Sequence, residues 1–93
     1  RKKTVGVLGL TFKSDTDDIR DSLAIKLIRL LKLKKIKTLQ SDEYYIDKDN
    51  VHKDTLIKKS DIIIISTPHK SYKNLKISKK KELVDIWGLI EKK

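Results

Sequence analysis

Four consecutive isoleucines, Ile62-Ile63-Ile64-Ile65, constrain this 93-residue chain more than any other feature. β-Branched side chains lose rotamer freedom against the preceding turn of a helix but pack well on a pleated surface, so the run predicts a strand over residues 61–66. Apolar residues occupy both faces of that strand, so both faces must be covered, as they are inside a parallel sheet. Thr4-Val5-Gly6-Val7-Leu8-Gly9-Leu10 has the same character and gives a first strand. Residues 36–40, short and partly alternating, read as a second strand whose polar positions suit an edge. Residues 82–87, just before Gly88, read as a fourth.

Between the strands the period changes. Leu23, Ala24, Leu27, Ile28, Leu30 and Leu31 recur at three and four residues with lysines and Arg29 between them, which predicts an amphipathic helix from Leu23 to about Lys34 with Ser22 as its N-cap. A short helix is expected over residues 53–59. One or two helical turns are expected over 70–75, after Thr67-Pro68-His69 has stopped the third strand. Residues 41–50, acidic and aromatic, and 77–81, basic, read as loops, and residues 89–93 trail off. Strands alternating with helices at this spacing imply β-α-β units with right-handed crossovers. The expectation is an α/β fold in a single domain, residues 1–93: a three-layer Rossmann-like domain with a four-stranded parallel sheet of order 2-1-3-4 and helices on both faces. The most apolar strands, the first and third, belong at its centre. That order puts the chain reversal between them, and ligands bind beyond the carboxyl ends of the strands at such a switch point. The loops to watch are therefore 10–22 and 66–72.

Composition narrows the chemistry. Lysine and arginine number 23 against 13 acidic residues, a net charge of +10. A field of that sign concentrates polyanions, yet only Arg1, Arg20 and Arg29 carry the planar fork that recognises phosphate or guanine bidentately. We therefore expect a lysine-rich solvated surface, with no nucleic-acid partner. No apolar stretch approaches the ~18 residues of a membrane span and no cleavage-site pattern follows the basic start, so we expect a cytoplasmic chain without membrane contact. The absence of cysteine excludes disulfides, thiolate metal sites and a cysteine nucleophile within this chain. It also lacks methionine and starts at Arg1, and we expect it to have been processed or cut from something longer.

Gly6-Val7-Leu8-Gly9 is half of a dinucleotide fingerprint. The third glycine is missing and a long polar loop intervenes, so pyrophosphate binding of that type is not expected there. The loop itself, Thr11-Phe12-Lys13-Ser14-Asp15-Thr16-Asp17-Asp18-Ile19-Arg20-Asp21-Ser22, is more informative. Lys13 just past a central strand and Arg20 just before a helix N-terminus lie where a phosphorylated ligand would dock. On these residues alone, an anion site and a surface salt-bridge cluster are equally good accounts. The aspartates are oxygen ligands of the kind Mg²⁺ takes. Helix capping by Asp21 and Ser22, and ordering of the loop around Lys13 and Arg20 by Asp15, Asp17 and Asp18, explain them better, and no metal is expected. His69, at the predicted switch point, is a candidate ligand contact or titrating group, or the source of a loop-orienting hydrogen bond. His52 reads as surface. Trp87, Tyr44, Tyr45 and Tyr72 read as packing residues, since no arginine is interleaved with them.

The stretch from Gly9 to Ser22 resembles the G-(L/F)-(A/T)-F-K-x-(D/N)-T-(D/G)-D-x-R-(E/D)-S signature of the C-terminal, UDP-binding domain of the UDP-glucose/GDP-mannose dehydrogenase family. The resemblance continues through Ser60-Asp61-Ile62-Ile63-Ile64-Ile65-Ser66-Thr67-Pro68-His69-Lys70-Ser71-Tyr72-Lys73-Asn74-Leu75 and ends at Leu83-Val84-Asp85-Ile86-Trp87, and it is weakest over residues 41–59. It implies an NAD-dependent oxidation of the C6 hydroxymethyl of UDP-N-acetylmannosamine or UDP-glucose to a carboxylate, for polysaccharide biosynthesis. It also implies an N-terminal domain that holds NAD, a homodimer built on a long central helix, and a C-terminal domain closing over the UDP-sugar. By position, Phe12 and Lys13 match residues that contact the UDP-sugar, and Arg20 matches an arginine that reaches toward NAD. Trp87 stands where relatives often have an arginine that touches substrate, and Thr67-Pro68-His69 leans toward the N-acetylmannosamine branch. The catalytic cysteine of the family lies upstream, so this chain alone is expected to contain no catalytic residue and to be inactive. The rival readings are a basic nucleic-acid-binding module, whose complexes should weaken steeply with salt, and a non-enzymatic Rossmann-like assembly module.

Overall fold

The computed structural model describes residues 3–11, 15, 19 and 22–85. Strands β1 (Val5–Leu8), β2 (Thr38–Ser41), β3 (Ile62–Ile65) and β4 (Glu82–Asp85) form one four-stranded sheet of order β2-β1-β3-β4 in which every pairing is parallel. The expected order is the observed one, with β1 and β3 at its centre and the polar β2 at an edge. The strands are shorter than the apolar runs that encode them. Leu10 lies past the end of β1 and Ser66 past the end of β3, where its N–H still donates to Leu8 O at 2.9 Å, and Ile86 and Trp87 of the expected fourth strand lie outside the described residues.

Alternation along the strands divides the interior into two layers. Val5, Val7, Ile62 and Ile64 face helix α1 (Leu23–Leu33), where Ala24 and Ile28 are buried. Leu8, Ile63 and Ile65 face helix α2 (Lys53–Lys59) and pack on Leu56, Tyr72 and Ile77. Gly6 makes this second layer possible, because a Cβ there would lie 2.5 Å from Leu56 Cδ2. Truncating Leu56, whose side chain is fully buried, would cost about 3 kcal/mol.

Helix α1 begins as its sequence predicts. Ser22 accepts from the Ile25 N–H at 3.3 Å, and its hydroxyl donates to the Leu10 carbonyl at 2.6 Å, so one cap also fastens the helix to the end of β1. It ends in a Schellman motif: Ile36 N–H donates to Leu31 O and Lys35 N–H to Lys32 O, with Lys35 at φ 60° where glycine is usual. The apolar stripe is narrower than its heptad spacing suggests. Leu27 and Leu31 pack on the sheet, whereas Leu23 and Leu30 are 75% and 50% exposed. After β3, residues 70–75 form the expected turns as a single 3₁₀ segment, Lys70–Asn74. Among the described residues no helix is long and apolar enough to cross a membrane.

Candidate functional site

The carboxyl ends of β1, β2 and β3 meet around one imidazole. Thr67-Pro68-His69 turns the chain after β3 and points the His69 ring into the edge of the sheet, where it is fully buried. The backbone N–H of Asp15 donates to Nδ1 at 2.7 Å, so the proton is on Nε2, which donates to Asp42 Oδ2 at 2.9 Å. Thr11 Oγ1 lies 3.4 Å from the same nitrogen.

Asp42, the first residue after β2, is the second half of this brace. Its Oδ2 also accepts from the Leu10 N–H at 2.6 Å, and its Oδ1 accepts from the N–H groups of Tyr44 and Tyr45 at 2.7 and 3.2 Å. Burial by itself raises the pKa of this carboxyl. The hydrogen bonds from His69, Leu10 and Tyr44 outweigh it and hold the group below the ordinary aspartate value of 3.8. An ionised carboxylate with four N–H donors is thus sealed beneath the switch point, joining the exits of three strands.

The exits themselves are shaped around the brace. Gly9 has φ +92°, and a Cβ there would lie 2.7 Å from the Thr67 backbone nitrogen, so only glycine lets β1 leave the sheet this close to the β3 exit. Thr67 Oγ1 donates to the Thr11 carbonyl at 2.7 Å. Asp15, also left-handed at φ 57°, accepts the Lys70 N–H on Oδ1 at 3.0 Å. The rings of Tyr44 and Tyr72 pack on His69 at centroid distances of 4.6 and 5.3 Å. Burial, followed by the charges of Asp42 and Glu43, pushes the Tyr72 hydroxyl far up, so it stays neutral, and it has no hydrogen-bond partner among the described residues. Glu43 accepts from the Ser71 hydroxyl. A cleft of about 160 Å³ at this edge is lined by Glu43, His52, Lys53 and Tyr72, and one of about 300 Å³ lies between α1 and the segment after β2, lined by Ile19, Arg29, Gln40, Tyr45 and Asp47.

The cluster's chemistry is that of a brace. Both nitrogens of His69 and both oxygens of Asp42 are taken by partners inside the domain, so neither is free to attack or to accept a substrate proton. Beside the half-fingerprint, the space next to Gly6 is filled by Ser60 and Leu56, and that next to Gly9 by Thr67.

Of the residues singled out from sequence, Phe12, Lys13, Arg20 and Trp87 lie outside the described residues. His69 is at the predicted switch point, inside the domain. Sequence reasoning missed Asp42 and Thr67 as parts of the site. An acidic residue directly after the second strand of a β-α-β unit was the available signal, since dinucleotide folds use that position to address a ribose. Here both its oxygens point inward.

Residues 6–92 match the model of the UDP-glucose/GDP-mannose dehydrogenase family, UDP binding domain. The chain belongs to this family. The UDP-glucose 6-dehydrogenase of Rickettsia felis is 34% identical over 84 residues, covering 78% of this chain and 19% of that protein. The UDP-N-acetyl-D-mannosamine dehydrogenase of Pyrococcus horikoshii is 28% identical over 71 residues, covering 76% of this chain and 17% of that protein. Among solved structures, the UDP-N-acetyl-mannosamine dehydrogenase of Staphylococcus aureus superimposes on all of this chain with a TM-score of 0.82 at 26% identity, covering 24% of its own length. This UDP-binding domain therefore spans about a fifth of the curated relatives it matches.

Proposed function

We propose that this domain binds the UDP-sugar in an NAD-dependent UDP-sugar 6-dehydrogenase, which oxidises the C6 hydroxymethyl of UDP-N-acetylmannosamine or UDP-glucose to a carboxylate in the cytoplasm. Phe12 and Lys13 contact the nucleotide sugar, Lys13 as a point charge on the diphosphate, and Arg20 turns its fork toward NAD. Trp87 borders the sugar in place of an arginine. The nucleophile and the NAD site belong to the rest of the polypeptide, in keeping with a chain that has no cysteine. The domain alone is inactive, and the intact enzyme is a homodimer.

The observation that carries this reading is the family match over residues 6–92, with the signature segment issuing from the braced switch point. Calorimetric titration of UDP into the intact polypeptide tests it. Wild type should bind, and Lys13→Ala should weaken binding about tenfold, the loss of one charge-assisted contact. Undetectable binding at millimolar UDP, or a Lys13→Ala variant that binds like wild type, would overturn it.

A further inference from the structure

We propose that His69 is a positioning residue for the UDP-binding loop, and that its two nitrogens do separable work: Nδ1 sets ligand affinity and Nε2 sets stability. This rests on the reading that Phe12 and Lys13 hold the UDP-sugar. Those two residues lie in the chain between Thr11 and Asp15, and both of these are fastened to one short stretch, residues 67–70. Thr67 Oγ1 holds the Thr11 carbonyl, His69 Nδ1 holds the Asp15 N–H, and the Lys70 N–H holds the Asp15 carboxylate. The residues that flank the Phe12-Lys13 segment in sequence are thus both held by the exit of β3. Asp15 is held at φ 57°, a backbone state that side-chain-bearing residues adopt rarely and keep only where the surroundings impose it. At this residue His69 and Lys70 are among the partners that impose it.

The Nε2 bond answers to a different demand. It is one of four N–H bonds to the buried Asp42 carboxylate, whose other donors come from Leu10, Tyr44 and Tyr45. Losing it leaves a buried charge one donor short without releasing Asp15. The amides separate the two roles. Asparagine places its amide oxygen near the Nδ1 position and can still accept from Asp15. Glutamine places its amide nitrogen near the Nε2 position and can still donate to Asp42.

The experiment measures UDP affinity and thermal midpoint on the intact polypeptide carrying His69→Asn, His69→Gln or Thr67→Val. His69→Gln should weaken UDP about fivefold to tenfold, the scale of one lost hydrogen bond that orders a binding loop, and His69→Asn by less than about twofold. The thermal midpoints should fall in the opposite order, with His69→Asn the lower. Thr67→Val, nearly isosteric, removes the Thr67 hydrogen bond to the Thr11 carbonyl and should also weaken UDP several-fold. Affinity that falls in step with the midpoint in both His69 variants, or that is unchanged in His69→Gln and Thr67→Val, would overturn the positioning role. A wild-type chain that binds no UDP would instead overturn the ligand assignment beneath it.

Discussion

The two ends of this sheet are made from opposite side chains and use them in opposite ways. At the carboxyl edge, the loops after β1, β2 and β3 carry Asp15, Asp42 and His69, which the fold draws inward and pairs with backbone N–H groups. At the amino edge, the segments leading into β1, β2, β3 and β4 carry Lys3, Lys34, Lys35, Lys37, Lys58, Lys59, Lys79 and Lys80, all exposed. Eight of the chain's 20 lysines, scattered in the sequence, share this edge because every parallel strand begins on the same side. Charge density and function are thus decoupled. Among the described residues, the amino edge gives these lysines to water, and the carboxyl edge is held by a few buried polar groups whose partners are specified atom by atom.

That contrast can be broken most forcefully at Asp42. Asp42→Ala leaves four N–H donors, those of Leu10 and His69 in buried bonds, without their acceptor and should destabilise by about 3 kcal/mol or more at pH 7, measured by urea unfolding. Because the folded carboxyl titrates below 3.8, its contribution is complete above that value and is lost as pH falls through the lower folded value. The stability gap between wild type and Asp42→Asn should therefore narrow below about pH 4. A gap that stays constant down to pH 2.5 would mean that the carboxylate charge is not what the brace uses. Next in size is Gly9→Ala, which puts a side chain at φ +92° against Thr67 and should cost about 2 kcal/mol by thermal melting.

At the amino edge the sensitive lysines should be those whose backbone or amine is engaged. Lys81 Nζ donates to the carbonyls of Lys58 and Ser60 at the end of α2, at 3.1 and 2.6 Å, so Lys81→Met should cost about 1 kcal/mol. Lys35→Gly should stabilise by about 0.5 kcal/mol, because the left-handed cap position at φ 60° suits glycine better than lysine. Smallest of all, Lys79→Gln with Lys80→Gln should change stability by less than about 0.5 kcal/mol. The same pair should change UDP affinity by less than about twofold at physiological salt, where the Debye length of about 8 Å is shorter than the strands between the two edges. A larger loss of affinity from that pair would mean that the amino edge does reach the ligand.

Much of the fold was legible because the signals were local and redundant. The isoleucine run, the shift of period at Leu23 and the serine before it each act over a few residues, and each lies where its element forms. The breadth of the α1 stripe was not legible. Leu23 and Leu30 belong to the same three-and-four pattern as Ile28, and only the docking of α1 on β1 and β3 decides which of them is covered. At the site, the signature segment marked the loop, but its supports are remote in sequence. Asp42 is 32 residues from Leu10 and 27 from His69, and nothing near it in sequence announces either partner.

The sequence by itself determined four strands, two helices, their parallel order and the loop that carries Phe12 and Lys13, since these follow from side-chain branching, periodicity and a contiguous motif. The tertiary structure decided what the polar residues around that loop are for. Whether a carboxylate binds a ligand or braces a fold depends on which donors surround it. For Asp42 and His69 those donors come from three separate strand exits, brought within 3 Å or so only when the sheet closes.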